Sequence, residues 1–310
     1  MGEIVKPLVS VIIPTYKRSK SLNRAIDSVL SQTYPNIEII VVDDNGKGSK
    51  YQMETEKSLE KYIKTDKIKY ITHDVNRNGS AARNTGFKHS RGEYINFLDD
   101  DDVFLPKKIE RQVDKLSASD YSIGATYCNT RSISNRIISK KNKIIESNFS
   151  SEGNLLVEYL CQEVTFNTST ILFKRKVIEI LKGFDESFIR HQDYELMTRF
   201  FQQFYISCTG TEILLVYDLS VDRGNNPCIE KFIEIEEKFI STFSDVFEST
   251  SCRKKICKHL WTNIFKQALI FRQYKYVPKL INNIHQYGRF NRADFLTIAK
   301  CVILSLLLRK

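Results

Sequence analysis

No glycine-rich phosphate loop occurs in this sequence. Neither G-x-G-x-x-G nor G-x-x-x-x-G-K-[ST] is present, and Gly46-Lys47-Gly48-Ser49 has the wrong spacing for either. A dinucleotide fingerprint and a P-loop are thereby excluded. G-x-S-x-G is also missing, which argues against an α/β-hydrolase. The seven cysteines (Cys128, Cys161, Cys208, Cys228, Cys252, Cys257, Cys301) form no C-x-x-C and have no histidines at zinc-ligand spacing. Their odd number, with no secretory signal in the opening residues, sets the expectation of a reducing cytoplasm. Long apolar runs are scarce. The opening run is cut by Pro14 and TYKRSKS and reads as a strand, while Phe295–Leu308 carries Thr297, Lys300 and Ser305. That second stretch falls short of the ~20 residues a membrane span needs.

What is present is a chain of 310 residues, 42% hydrophobic and 27% charged, a balance that builds a core and argues against disorder. The net charge of +10 is unevenly placed. From Thr250 to Lys310 there are thirteen basic residues and one acid, Asp294, so the preceding chain is close to neutral. A cationic C-terminal annex follows a near-neutral body.

The first hundred residues alternate between two periods. Leu8–Ile13, Ile37–Val42, Ile68–Thr72 and Tyr94–Leu98 are short apolar runs of the kind that form buried parallel strands. Between them, Leu22, Ala25, Ile26, Val29 and Leu30 recur at helical spacing, residues 52–64 read as a helix, and Ser80–His89 as a shorter one. This alternation predicts a doubly wound α/β sheet. Beyond Ala118 the pattern is mixed, with strand-like Ile123–Asn129, Ser169–Phe173 and Glu212–Tyr217, and helix-like 153–161, Val177–Leu181 and Tyr194–Phe204. The polar stretch 130–151 is expected to be a mobile loop, and the chain after Pro227 to be helical throughout.

Doubly wound sheets bind ligands at the carboxyl ends of their strands. Thr15-Tyr16, Asp43-Asp44 and Asp99–Asp102 fall at three such ends. Four adjacent carboxylates repel one another, and a hard divalent cation, Mg²⁺ or Mn²⁺, relieves that repulsion; a solvated acidic turn is the plainer reading. Asp43-Asp44 suits a ribose or a base, or equally a tight turn. Arg18 and Arg83 suit phosphate oxygens, although exposed arginines are often idle. Asp193 is read either as the N-cap of a helix carrying Leu196, Met197 and Phe200, or as a general base taking a hydroxyl proton.

At this point the motifs resemble a known family. Val9-Ser10-Val11-Ile12-Ile13-Pro14-Thr15-Tyr16, Ser31-Gln32-Thr33-Tyr34, Val42-Asp43-Asp44, Asn76–Gly86 and Phe97-Leu98-Asp99-Asp100-Asp101-Asp102 occur in the order found in family 2 glycosyltransferases. The resemblance covers roughly residues 7–200. It implies an α/β GT-A fold, Rossmann-like, with a mostly parallel sheet flanked by helices and a helical C-terminal extension. It further implies that Pro14, Thr15, Tyr16 and Asp44, with Asp43 adjacent, hold a uridine-type base. Asp99-x-Asp101 is similar to the family's metal-binding D-x-D, with Asp101 as direct ligand, Asp99 serving ribose or metal, and Asp100 beside the donor. Arg83 falls where the family has an arginine near the donor phosphates, and Asp193 matches the catalytic aspartate of its E-D motif, with Gln192 where glutamate is common. A further contact of some relatives, often a histidine, would fall in Ser220–Gly224, where Asp222 or Arg223 could substitute.

The resemblance therefore implies an inverting, Mn²⁺- or Mg²⁺-dependent transfer of a sugar, from UDP in the first instance, to a glycan or lipid-linked acceptor in surface polysaccharide synthesis. The expected division is a catalytic domain over residues 1–225 and a basic helical region over 226–310. In that region Arg253, Lys254, Lys255, Lys258, Arg272 and Lys275 alternate with Trp261, Phe265, Phe271 and Tyr274, which suits an anionic membrane surface on the cytoplasmic side, or a packed helical bundle with a solvated cationic face. Two other readings compete with this one. A sugar-phosphate nucleotidyltransferase needs a glycine-rich loop after the first strand, and Pro14–Ser21 contains no glycine. A nucleic-acid-binding module built on the basic annex leaves the acids at three strand ends unexplained.

Overall fold

The structure, a computed structural model, describes residues 6–135, 142–218 and 228–307. Its order begins β1 (Val9–Thr15), α1 (Ser19–Leu30), β2 (Ile37–Asp43), α2 (Lys50–Ile63), β3 (Lys69–Thr72), α3 (Asn78–Lys88) and β4 (Tyr94–Phe97). It continues with β5 (Asp102–Phe104), α4 (Lys108–Ser117), β6 (Ile123–Asn135), β7 (Asn142–Glu146), α5 (Leu156–Leu160), β8 (Ile171–Lys174), α6 (Arg175–Ile180), α7 (Gln192–Phe200) and β9 (Tyr205–Asp218). The remaining helices are α8 (Ile229–Thr242), α9 (Ser244–Ser249), α10 (Arg253–Ile270), α11 (Val277–His285) and α12 (Arg292–Leu307).

The strands run in the order β3-β2-β1-β4-β8-β6-β9-β5, with β7 paired to β6. The first four are mutually parallel. β8 is antiparallel to both β4 and β6, β9 is parallel to β6, and β5 is antiparallel to β9. The apolar runs of β1 and β2 are buried on both faces, which is why they show no alternation. On one face α1 buries Leu22, Ala25, Ile26 and Val29 in a cluster with Val11, Ile13, Ile39 and Val41. Each of the leucine, isoleucine and valine side chains among them contributes roughly 1.5–3 kcal/mol of burial. On the other face α3 lies so close to β1 that a Cβ on Gly86 would come 2.3 Å from Ile12 Cγ2.

Several expectations need correction. The stretch 130–151 is not one loop: β6 extends through Asn135 and β7 returns from Asn142, while 136–141 lie outside the described residues. β5 and α4 were not anticipated at all. The chain divides into two compact units. One holds the sheet with α1–α4, α6 and α7, and the other holds α8–α12 together with α5, although α5 falls inside the span 1–225. The expected boundary at 225 lies outside the described residues.

Candidate functional site

The carboxyl ends of β1, β2 and β4 lie side by side, with Thr15 paired to Asp43 in register. At the end of β1, Thr15 is buried and its Oγ1 donates to Asp100 Oδ2 at 2.7 Å. Arg18 Nη1 lies 3.1 Å from Asp100 Oδ1 and 2.8 Å from Asp101 Oδ2. Burial pushes the Asp100 carboxyl up to about 6, with Arg18 and the Thr15 hydroxyl opposing the rise. Burial works against the Arg18 charge, but Asp100 and Asp101 outweigh it and hold its pKa above the ordinary arginine value. Tyr16, by contrast, is 43% exposed, with the Lys17 ammonium 4.7 Å from its ring centre.

At the end of β2 both acids are buried and already hydrogen-bonded. Asp43 accepts from the Asn45 backbone at 2.8 Å and from the Tyr70 hydroxyl at 2.7 Å, and burial raises its pKa. Asp44 accepts from Arg77 N and Asn76 Nδ2, each at 2.8 Å, and pairs with His73 Nδ1 at 2.7 Å. The other ring nitrogen of His73 is 2.9 Å from Thr85 Oγ1, so the imidazole ties Asp44 to α3. His73 and Asn76 were missed in the sequence, although His73 directly follows the third strand and the strand-end rule points to it.

The acid run leaves β4 and enters β5. Oxygens of Asp99, Asp101 and Asp102 can lie within 4.8 Å of one another. Three hard oxygens in that compass fit Mg²⁺ or Mn²⁺. The structure thus adds Asp102 to the expected pair and turns Asp100 instead toward Thr15 and Arg18. Asp102 is directly paired with Tyr217 across β5–β9, so the two side chains share a face of the sheet. Burial is the main cause that holds the Tyr217 phenol well above its ordinary pKa, and Asp102, Cys128, Asp99 and Asp193 add to it. No local motif marks Tyr217; the strand pairing alone brings it here.

α3 presents Arg83 to this cluster. Its Nη2 donates to Asp99 Oδ1 at 2.6 Å, its Nη1 to Gln192 Oε1 at 2.8 Å, and its guanidinium lies 5.4 Å from the Phe184 ring centre. Gln192 is brought here by a clamp on the preceding segment. Asn84 bonds Phe184 through both O and N, and Asn78 Nδ2 donates to Glu186 O at 3.0 Å. Gly183 is required in this turn, with φ +73° and Asn84 Oδ1 only 2.4 Å from where a Cβ would stand. α7 then starts at Gln192, with His191 as N-cap at φ 60°. Asp193 therefore lies inside the first turn and is not the N-cap. Burial raises its pKa and Asp99 adds to the rise, while Arg83 and the Thr168 backbone N–H oppose it. Asp222 and Arg223 lie outside the described residues.

The model of glycosyl transferase family 2 matches residues 10–181. A glycosyltransferase of Rickettsia prowazekii is 32% identical over 234 residues, covering 76% of this chain and 71% of its own. Another, from Rickettsia felis, is 47% identical over 114 residues, but those are 18% of its length. The amylovoran biosynthesis glycosyltransferase AmsB of Erwinia amylovora is 31% identical over 199 residues, 61% of this chain and 62% of that one. Among solved structures, the mannosyltransferase PcManGT of Pyrobaculum calidifontis, in complex with GDP-Man and Mn²⁺, superposes at TM-score 0.57. It is 17% identical and the match covers 98% of this chain and 86% of that one. S. aureus TarS 1–349 with UDP gives TM-score 0.55 at 18% identity, over 97% and 91%. At these identities the likeness is one of fold, GT-A. The motifs, the matched span and the relatives agree: the chain belongs to glycosyl transferase family 2.

Proposed function

We propose that this glycosyltransferase transfers a sugar, with inversion, from a nucleoside diphosphate donor to a hydroxyl of a glycan or lipid-linked acceptor, and that the donor is a UDP-sugar. The observation that carries this reading is the reach of one buried guanidinium. Arg83 bonds both Asp99 and Gln192, the neighbour of Asp193, so acids suited to a cation and a carboxylate suited to a base surround one fixed positive charge. Asp193 takes the proton of the acceptor hydroxyl as its oxygen bonds to the anomeric carbon and the bond to the diphosphate breaks on the opposite face. Its raised pKa makes it a better proton acceptor than an ordinary carboxylate. Arg18, partly open to solvent, binds phosphate oxygens, and Arg83 adds its fixed charge from the bridge between Asp99 and Gln192. Asp99, Asp101 and Asp102 would hold Mn²⁺ or Mg²⁺, which when bound stabilises negative charge on the leaving diphosphate.

A role in surface polysaccharide synthesis is supported by the name of the Erwinia relative. Among the described residues no helix is long and apolar enough to cross a membrane. We place the protein on the inner surface of the cell membrane instead, through α12, where Phe295, Leu296, Val302, Ile303 and Leu306 are exposed in the most cationic part of the chain. The central test is calorimetric titration with UDP and GDP, in Mn²⁺ and again in excess EDTA. Metal-dependent binding that favours UDP is expected; binding of neither by folded protein would overturn the donor assignment.

A further inference from the structure

Arg18 ends on the carboxylates that suit a divalent cation. Its Nη1 touches both Asp100 and Asp101, whose side chains are almost fully buried, while about 30% of the Arg18 side chain remains open to solvent. Asp101 is one of the three acids whose oxygens gather within 4.8 Å. The carboxylate thus already carries a cation supplied by the chain itself. A divalent ion arriving at Asp101 meets a like charge a few ångströms away, and that repulsion opposes its binding. A nucleoside diphosphate changes the balance, because its oxygens offer the guanidinium a two-pronged partner at least as good as the acids. Asp100 does not lose all support when Arg18 leaves, since Thr15 Oγ1 still donates to it.

We propose that Arg18 is an exchangeable counter-cation: it guards Asp101 against the divalent ion until a nucleoside diphosphate draws it away, so that metal and nucleotide each strengthen the binding of the other. The inference rests on the nucleotide–metal reading of this site. Such coupling is reciprocal, so the factor by which UDP tightens Mn²⁺ equals the factor by which Mn²⁺ tightens UDP.

The test is a set of calorimetric titrations of the wild-type chain, Arg18→Gln and Arg18→Lys: Mn²⁺ alone, Mn²⁺ at saturating UDP, and UDP at saturating Mn²⁺. In Arg18→Gln, Mn²⁺ alone is expected to bind roughly tenfold more tightly and UDP roughly tenfold less tightly, and the mutual enhancement to be smaller than in wild type. Arg18→Lys, which keeps the charge, is expected to bind Mn²⁺ alone as weakly as wild type. Unchanged or weaker Mn²⁺ binding in Arg18→Gln, in a sample with wild-type circular dichroism, overturns the proposal, and so does an Arg18→Lys chain that behaves like the glutamine variant. Wild-type protein that binds Mn²⁺ and UDP without mutual enhancement overturns this inference and the metal dependence of UDP binding, and leaves the nucleotide site itself standing. Wild-type protein that binds neither overturns the underlying reading as well.

Discussion

Arg83 Nη2 lies 2.6 Å from Asp99 Oδ1, in a pair whose arginine is nearly buried and whose acid is about one-third exposed. The same guanidinium reaches Gln192 with its other terminal nitrogen, so one side chain spaces α7 from the acid run. A lysine carries the charge but lacks the planar fork, and cannot bond both partners in this geometry. Arg83→Lys is therefore expected to lower transfer by at least about tenfold, through both donor affinity and turnover, while the fold survives. Steady-state kinetics with a UDP-sugar check this; wild-type kcat and KM would show that the bridge has no role.

Asp193→Asn should retain UDP and Mn²⁺ binding and lose transfer by about 10²–10⁴-fold, the usual contribution of a positioned base. The pH profile carries the sign. Asp193 acts as base only when ionised, and burial raises its pKa above 3.8. The rate therefore falls as pH drops through that raised value, with the acid limb displaced upward from that of an ordinary aspartate. Asp100, pushed up to about 6, gives an acid limb of its own. A limb that persists in the residual activity of Asp193→Asn belongs to Asp100; a limb that disappears belongs to Asp193.

The parallel half of the fold was readable because burial on both faces makes β1 and β2 largely apolar, broken only by Ser10 and Glu38 before their final residues, and the helix periodicity of α1 is strong. Thr15, Asp44 and Asp99 stand out in the sequence as candidates because they fall at strand ends, where α/β sheets bind ligands. β5 escaped because three residues carry no period, and the first half of β9, Tyr205–Thr211, hides among Ser, Thr and Gly. Tyr217 escaped for a different reason. It reaches Asp102 only through an antiparallel pairing between strands more than a hundred residues apart, and no local pattern encodes that register. The positions of Asp43 and Asp44 were legible, but their partners were not: His73, Asn76 and Tyr70 converge on them from three places after β2.

Lys108 is fully buried on α4, with its ammonium 2.7 Å from Gln112 Oε1 and 4.0 Å from the Phe104 ring centre. Burial lowers its pKa from 10.5 to about 8, with Cys128 and Asp102 opposing the fall. The folded state thus penalises the charged form. The penalty is full below about 8 and fades as pH rises toward 10.5, where the unfolded chain also gives up the proton. Lys108→Met removes this dependence. The stability difference between variant and wild type should therefore shift in favour of wild type by about 2 kcal/mol from pH 8 to pH 10, whatever the pH-independent cost of leaving Gln112 Oε1 unpaired. Urea melts at the two pH values check it; a difference that does not move with pH would show that Lys108 keeps its ordinary pKa.

α12 shows its apolar side outward. Phe295, Leu296, Val302, Ile303 and Leu306 are exposed, whereas Cys301 is buried. A helix that packs only to complete a bundle would turn these groups inward. With thirteen basic residues against one acid from Thr250 onward, the partner we propose for this surface is an anionic bilayer, whose headgroups attract cations and whose acyl boundary takes up apolar side chains. Leu296→Glu with Ile303→Glu should weaken sedimentation with vesicles containing phosphatidylglycerol by at least about tenfold, since each change removes apolar contact and adds repulsion. UDP binding in Mn²⁺ should be unaffected, because the donor site is built from other residues. The same vesicles without anionic lipid, or with anionic lipid in high salt, should bind poorly. Double-variant protein that sediments like wild type would remove α12 as the membrane contact and leave its exposed face without a lipid partner.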